Sequence, residues 1–349
     1  MAIIDLTVRG AGIFGLSIAW DAARRGARVR VVDPHGPGAG ASGGIVGALA
    51  PHVPEAWNDK KAFQLDALLA AGGFWAGVAA AGGGDPGYAR TGRLQPVADA
   101  AALDRARDRA EGARALWRGQ AEWAVIAADA AGPFAPPSPT GWLIRDTLSA
   151  RIHPRRACAA LAAALAARGV EVTTDAPDAG AVVHATGAAG LADLSSALGR
   201  TVGAPVKGQA ALLDLDARDA PQLFVDGLHL VPHADGTLAV GSTSERDFAA
   251  PDATDALLDD VVARARAALP ALAGARVLER WAGLRPRARS RAPMLGVWPE
   301  RPGHFLANGG FKIGFGVAPG VATAMVELVL EGRDRIPPGF AVAASIPKG

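Results

Sequence analysis

The spacing Gly10-x-Gly12-x-x-Gly15 constrains this chain more than any other feature. It follows an apolar stretch at 3–8 that reads as a short buried strand. It opens an amphipathic pattern at 13–25 that reads as a helix closing near Gly26. A second strand-like run at 28–32 ends on Asp33, 18 residues after Gly15. Strand, glycine turn, helix, strand and acid in this order make a βαβ unit, so a parallel sheet is expected. Gly10 permits the tight turn, Gly12 lets the backbone approach a pyrophosphate, and Gly15 lets the helix pack closely on the sheet. Ile13 stands in the first helical turn, where free N–H groups and positive potential favour phosphate. Asp33 is placed to accept hydrogen bonds from an adenosine ribose, which disfavours a 2′-phosphate and hence NADP. The sequence thus predicts a dinucleotide site, with FAD and NAD both open.

The same spacing recurs at Gly38, Gly40 and Gly43, where Pro34 and Pro37 stand in place of a strand. It fails the context test for a second nucleotide motif. It reads as a flexible surface loop or as a loop whose N–H groups cover the cofactor, and spacing alone leaves both open. Helical patterns follow at 59–81 and 99–119, split by the loop 82–87, and a proline-rich connector lies at 133–140. A helix at 154–168 leads to strands at 170–174 and 181–185, the latter running into Thr186-Gly187. From 205 to 245 alternating strands with turns at Asp226-Gly227 and Asp235-Gly236 look antiparallel. A helix at 252–269, strands near 276–284 and 304–308, and a helix at 318–331 complete the pattern.

At 349 residues the chain is long enough for about two domains of ~100–200 residues each. The expected class is α/β, with a discontinuous Rossmann-like domain at 1–50, 141–204 and 292–349. An inserted α+β substrate-binding domain with a mainly antiparallel sheet is expected at 51–140 and 205–291. Half the residues are apolar, which supplies a large core, and Gly (44) with Pro (25) stays below a low-complexity composition. The single Cys158 excludes a disulfide scaffold and fits a reducing compartment. A net charge of +2 with a pI near 9.0 reflects few groups titrating above neutrality, so nucleic acid is not an expected partner. The N-terminus lacks a basic leader and carries Asp5 and Arg9. No uninterrupted apolar run of ~18 residues is present. A cytoplasmic protein with no membrane span and no metal site is expected.

Further motifs carry a family resemblance. They are Gly40-Ala41-Ser42-Gly43-Gly44 with Gly47-Ala48-Leu49-Ala50-Pro51, His153-Pro154-Arg155-Arg156 opening a helix, and Val183-His184-Ala185-Thr186-Gly187-Ala188. Val206-Lys207-Gly208-Gln209, Gly283-Leu284-Arg285-Pro286 and Gly309-Gly310-Phe311-Lys312-Ile313-Gly314 follow in order. With the N-terminal fingerprint, this set resembles the D-amino-acid oxidase/glycine oxidase family of flavoproteins over nearly the whole chain. The fingerprint through Asp33 and the Gly40–Pro51 motif are also similar to the oxidase half of a bifunctional enzyme that matures 5-aminomethyl groups on wobble uridine in tRNA.

The family resemblance implies FAD, bound non-covalently, since Cys158 sits within a helix far from the matching attachment position. It places Ser42, Gly43, Gly47 and Ala48 by the pyrophosphate and ring system, with Ala185, Thr186 and Gly187 also on the cofactor. It further implies that Gly310, Phe311, Lys312, Ile313 and Gly314 offer backbone N–H groups to the pyrimidine end of the flavin, ahead of a helix near Val317. Arg285 matches the arginine that holds a substrate carboxylate, and Lys312 a basic residue that binds carboxylate or stabilises reduced flavin. His52, after the Gly47–Pro51 segment, reads as a structural histidine.

The chain departs from the family pattern in several places. Arg287, Arg289 and Arg291 stand where polar and acidic residues are usual, the only tyrosine is Tyr88, and about ten residues (172–181) remain for a small β-meander. The implied activity is oxidation of the C–N bond of a small amino acid or secondary amine of the glycine, sarcosine or D-amino-acid kind. Hydride would pass to flavin and electrons onward to oxygen or another acceptor. The alternatives are an oxidase of a carboxymethylaminomethyl group on tRNA and a flavin subunit of a larger amine dehydrogenase complex.

Overall fold

The computed structural model describes residues 3–82 and 84–346. The chain opens with β1 (Leu6–Arg9), α1 (Ile13–Arg24), β2 (Val29–Val32), β3 (Ala48–Leu49) and the long helix α2 (Asp59–Gly82). Next come β4 (Arg93–Pro96), α3 (Ala100–Leu116), β5 (Trp123–Ala127), β6 (Trp142–Asp146) and β7 (Ala150–Arg151). They lead to α4 (Pro154–Ala166), β8 (Val172–Thr173), β9 (Ala181–His184) and α5 (Gly187–Ala197). The last part contains β10 (Gly203–Leu213), β11 (Gln222–Val225), β12 (Leu228–Pro232), β13 (Leu238–Gly241) and α6 (Ala256–Ala268). It ends with β14 (Val277–Ala288), β15 (Met294–Val297), β16 (His304–Asn308) and α7 (Gly314–Glu331).

A six-stranded sheet has the order β15-β16-β9-β1-β2-β8, and an eight-stranded sheet the order β14-β10-β13-β12-β11-β4-β6-β5. In the first, all pairs are parallel except β15–β16. In the second, all pairs are antiparallel except β4–β11. The fold is therefore α/β, with a Rossmann-type sheet beside a mainly antiparallel one. β1 lies between β2 and β9, so connections leave it in both directions, and such a crevice at the strand C-termini is where open α/β sheets bind ligands.

Helices α1, α2, α4 and α7 share one core with the parallel sheet, in which Leu6, Val8, Leu16, Ile18, Trp75, Leu161 and Val321 are buried. α2 and α7 are long and apolar enough by composition to cross a membrane, though neither is an uninterrupted apolar run. They pack against each other and α7 also packs on α1, which accounts for the buried apolar side of each. In the antiparallel sheet the two-residue alternation separates two faces. Leu223, Val225, Leu228, Leu230, Leu238 and Val240 pack with Leu258, Val261 and Val262 of α6. The intervening Phe224 and His229 line a cavity on the opposite face.

Several elements differ from the sequence reading. α5 is an additional helix, hidden because Gly190, Leu191 and Leu194 are its only buried residues and no side chain caps it. α7 starts at Gly314, so Pro319 sits inside the helix rather than at its first turn. β14 continues through Pro286 to Ala288, which an edge strand tolerates because its outer N–H side needs no partner. β4, β5 and β6 are short strands that the helical patterns around them obscured. Segment 141–204 does not behave as one block, since β6 joins the antiparallel sheet while β8 and β9 join the parallel one. Among the described residues no meander lies between β8 and β9. Instead the loop binds the open sheet face through Arg9–Asp178 (2.6 Å) and the Thr7 hydroxyl donating to the Ala179 carbonyl (2.7 Å).

Candidate active site

A cavity of about 1450 Å³ separates the C-terminal ends of β1, β2, β9 and β16 from the inner face of the antiparallel sheet. Drug-sized ligands need only ~300–1,000 Å³, so this volume holds a dinucleotide together with a small second molecule. The cavity begins at Asp33 and His35 and reaches Arg285, Phe311 and Lys312.

At one end Gly10, Gly12 and Ile13 line the wall. Gly10 has φ +103°, and a Cβ there would lie 2.4 Å from the Ala185 carbonyl oxygen. Gly15 lies beneath the turn rather than in the cavity, where a Cβ would meet the Gly10 carbonyl oxygen at 1.8 Å. It sets the approach of α1 to β1 and does not line the cavity. The Asp33 carboxylate accepts from the Ala11 N–H through Oδ2 (2.7 Å) and from the His35 N–H through Oδ1 (2.9 Å). Both oxygens are thereby fixed beside the cavity with lone pairs remaining for a ribose.

The second glycine pattern folds onto the first. The Gly38 N–H donates to the Ala11 carbonyl (2.8 Å), and Ser42 Oγ accepts from the Ile13 N–H (2.9 Å). Ser42, Gly47 and Ala48 line the cavity. Gly43 does not; its Cβ position is 2.5 Å from the Gly38 carbonyl oxygen, so it closes the loop on itself. This segment covers the fingerprint turn and is no free surface loop. Cys158 lies behind it, with Sγ 3.9 Å from the Ser42 carbonyl. Burial pushes its thiol up to about 12, so almost no thiolate exists near neutrality. A thiol reagent should therefore leave native protein unmodified and label it after denaturation; rapid labelling of native protein would contradict this packing.

Ala185, Thr186 and Gly187 line the middle of the cavity, where α5 begins. Gly310, Phe311, Lys312 and Gly314 line the far end at the start of α7. Ile313 is the residue before α7 and packs into the core instead. α1, α5 and α7 thus all direct their N-termini at one cavity and make it electropositive. Phe311 adopts φ +43°, and its N–H donates to the Pro286 carbonyl (3.1 Å). The Arg287 guanidinium lies 5.8 Å and the Lys312 ammonium 5.7 Å from its ring centroid.

Arg285 is half-buried with its side chain on the cavity. It donates to the Ser242 hydroxyl (2.6 Å) and the Thr243 carbonyl (3.1 Å), both neutral. Among the described residues it has no ion-pair partner, and burial lowers its pKa to about 10. The guanidinium rests on Gly208, where a Cβ would lie 2.0 Å from it. Flanking Lys207 and Gln209 tie the strand to Glu245 and Asp255. Lys312 is exposed at the mouth, and burial of its amine together with the Arg285 charge lowers its pKa. Arg287, Arg289 and Arg291 have no ion pairs among the described residues, and only Arg287 reaches the site, through Phe311.

His52 is structural, bonded through its ring and its N–H to Gln64. Tyr88 does not line the cavity and packs near Gly72 of α2. Sequence reasoning missed Trp281, Phe224, His229, Ser242 and Asn308 as lining residues. Only Asn308 carried a local signal, since it directly precedes the Gly309-Gly310 turn; its amide donates to the Gly187 carbonyl (2.9 Å).

Known proteins are similar to this chain in sequence and in fold. The family described as FAD dependent oxidoreductase matches residues 5–328. A putative thiamine biosynthesis oxidoreductase, ThiO, of Rhizobium etli is 30% identical over 341 residues, covering 93% of this chain and 96% of that protein. A glycine oxidase of Pseudomonas aeruginosa is 32% identical over 133 residues, covering 38% of this chain and 36% of that relative's length. The crystal structure of an iminodiacetate oxidase from Chelativorans sp. BNC1 superposes with a TM-score of 0.83 at 23% identity, over 95% of this chain and 97% of that one, and so shares the fold. The chain belongs to the FAD-dependent oxidoreductase family, as an enzyme that uses FAD.

Proposed function

We propose that the chain oxidises the C–N bond of a small amino acid, or of a secondary amine bearing a carboxylate. The observation that carries this reading is Arg285, a cavity-facing cation held only by neutral acceptors. A desolvated guanidinium with no carboxylate in contact, on which Glu245 acts only from a distance, is poised for a ligand carboxylate, which it can grip in bidentate fashion. Relatives named glycine oxidase and iminodiacetate oxidase point to ligands that combine an amine with a carboxylate.

The cavity residues fit FAD. Asp33 would hold the ribose, and Gly10, Gly12, Ile13 and Ser42 the pyrophosphate, with Gly15 setting the helix position. Gly47, Ala48, Ala185, Thr186 and Gly187 would border the cofactor, and Gly310, Phe311, Lys312 and Gly314 would face its pyrimidine end. When bound, FAD supplies a two-electron acceptor for hydride from the substrate α-carbon. The substrate lies on the side of the antiparallel sheet. There Arg285 anchors the carboxylate and so fixes the α-carbon. The positive charges of Arg285 and Lys312 disfavour an ammonium and favour the neutral amine, whose lone pair forms the C=N bond as hydride departs. No side chain then needs to act as base. Water hydrolyses the imine to a 2-oxo acid and a free amine, and oxygen or another acceptor removes the electrons.

Gly208→Ala isolates the role of Arg285 position from its charge. The three atoms nearest the added methyl all belong to the end of the flexible Arg285 side chain, so the fold should survive while the guanidinium is displaced. KM should rise at least roughly tenfold, about 1.4 kcal/mol, with the melting temperature little changed. An unchanged KM would show that the guanidinium does not work from this place. The activity itself is tested by product trapping. Flavin-loaded protein given glycine, sarcosine, iminodiacetate or D-alanine, with oxygen and an artificial acceptor, should release a 2-oxo acid from at least one. No 2-oxo acid from any of them would contradict the proposal.

A further inference from the structure

Beyond Arg285 the same face of β14 carries further cations. Arg285 pairs with Val206 and Arg287 with Ala204, so the two arginines stand two residues apart on one face of the sheet. At that spacing their Cα atoms are about 6.8 Å apart. On the other side of β10, Glu245 bridges Lys207, which brings the next residue, Arg246, alongside Val206. Alternation turns Arg246 away from the Lys207–Glu245 ion pair (3.4 Å) and onto the face of Arg285. A turn closed by the Arg291 N–H on the Ala288 carbonyl (3.0 Å) returns Arg291 to the same end of β14. Desolvation, and then the charges of Arg291 and Arg246, lower the Arg287 pKa, so the three guanidinium groups feel one another. Ala204 between them is exposed, and the ledge they form is open to solvent.

Elsewhere on the surface Arg28, Arg109, Arg155, Arg218 and Arg280 are each held by a carboxylate. Among the described residues Arg246, Arg287, Arg289 and Arg291 are held by none. The nearest acid along the strand, Glu245, is taken by Lys207 and Gln209. Asp247 and Asp252 follow in the same loop, and Asp252 lines the cavity, but neither makes an ion pair among the described residues. Like charges gathered without counter-charge repel, and they attract an anion that binds there. The ledge is continuous with the cavity. The Arg287 guanidinium lies 5.8 Å from the Phe311 ring centroid, and Phe311 lines the cavity together with Arg285.

We propose that the substrate carries a second acidic group, which Arg287, Arg246 and Arg291 receive while Arg285 holds the carboxylate beside the amine. This rests on the amino-acid reading above. Two carboxylate carbons four bonds apart span about 5 Å when extended, close to the strand spacing of Arg285 and Arg287. A dicarboxylic amine of that length, or an amino acid with a terminal acid, is gripped at both ends. A monoacid leaves the ledge empty, so the preference is a difference of affinities between the two. Each exposed contact is weak alone, and the three arginines act together on one group. No bond is made or broken at the ledge, so it selects the substrate and takes no part in the chemistry. The arginines occupy one sheet edge of a chain with net charge +2, which matches a small dianion better than a polyanion.

The test is calorimetric titration of flavin-loaded protein with glutarate and with glutaramate, the same chain with one carboxylate replaced by an amide. Glutarate should bind about fivefold more tightly or better. In the double variant Arg246→Gln with Arg287→Gln the difference should shrink to about twofold, the statistical advantage of two identical ends. Neither arginine has an ion pair to lose, so the fold should survive. Arg291→Gln, on the exposed turn, should shrink the difference in the same direction should the double variant fail to load flavin. The ratio of kcat/KM for iminodiacetate over its monoamide should fall in parallel. Equal affinity for the two ligands in the parent, with both lost in Arg285→Ala, would overturn this inference alone. Unchanged affinity in Arg285→Ala would overturn the carboxylate reading on which it rests. Salt-sensitive binding of bulk tRNA that the double variant loses, without a preference for glutarate, would assign the ledge to a polyanion and overturn the inference.

Discussion

Arg285→Ala should lose about 3 kcal/mol of transition-state stabilisation, roughly 150-fold in kcat/KM, carried mostly by KM. The magnitude follows from removing a charge-assisted, partly desolvated contact to a carboxylate. The same substitution should leave the melting temperature unchanged or raise it. In the free protein the guanidinium is desolvated, is held by two neutral acceptors, and has its pKa lowered to about 10. A charge kept in that state opposes folding slightly, and its worth appears only with ligand. Steady-state kinetics and a thermal melt on one preparation check both signs. Unchanged kcat/KM, or a large loss of stability, would assign Arg285 a structural role instead.

Gly15→Ala should act on the cofactor. Its Cβ would sit 1.8 Å from the Gly10 carbonyl oxygen, backbone against backbone, so α1 must move away from β1. Overpacking of this kind costs about 1–3 kcal/mol of stability. It also shifts the helix N-terminus from the pyrophosphate position, and FAD affinity should fall by roughly 100-fold, or 2.7 kcal/mol. The protein should purify largely without flavin and take it up only at high concentration, measured by quenching of flavin fluorescence. Gly12→Ala is a milder comparison, because its Cβ meets only the Ser42 hydroxyl at 3.2 Å. Stoichiometric FAD in Gly15→Ala would remove the steric argument for this fingerprint.

The fingerprint was legible because each of its residues acts locally. Gly10, Gly12, Gly15 and Asp33 need only a strand before and a helix after, and both can be read from hydrophobic period. Alternation and Asp-Gly turns likewise exposed the β10–β13 part of the antiparallel sheet, but not β4, β5 and β6. The role of the 38–43 loop was not legible, since a glycine pattern says nothing of what it packs on, and only the fold brings Ser42 to the Ile13 N–H. The thin apolar stripe of α5 hid a third helix N-terminus facing the cavity. His229 read as an ordinary strand position. Its place on the cavity floor depends on the pairing of β12 with β11 and β13, which no local pattern encodes. Gly43 and Ile313, expected on the cofactor, serve the loop and the core because motif membership does not fix which way a residue faces.

If FAD in this cavity receives hydride from an amine bearing a carboxylate, anaerobic titration of the flavin-loaded protein will show it. Glycine, sarcosine, iminodiacetate and D-alanine would each be added without oxygen while the visible flavin absorption is followed. At least one of them should bleach the oxidised flavin stoichiometrically, and Arg285→Ala should shift the bleaching to much higher concentration. Bound flavin that none of the four bleaches would contradict it.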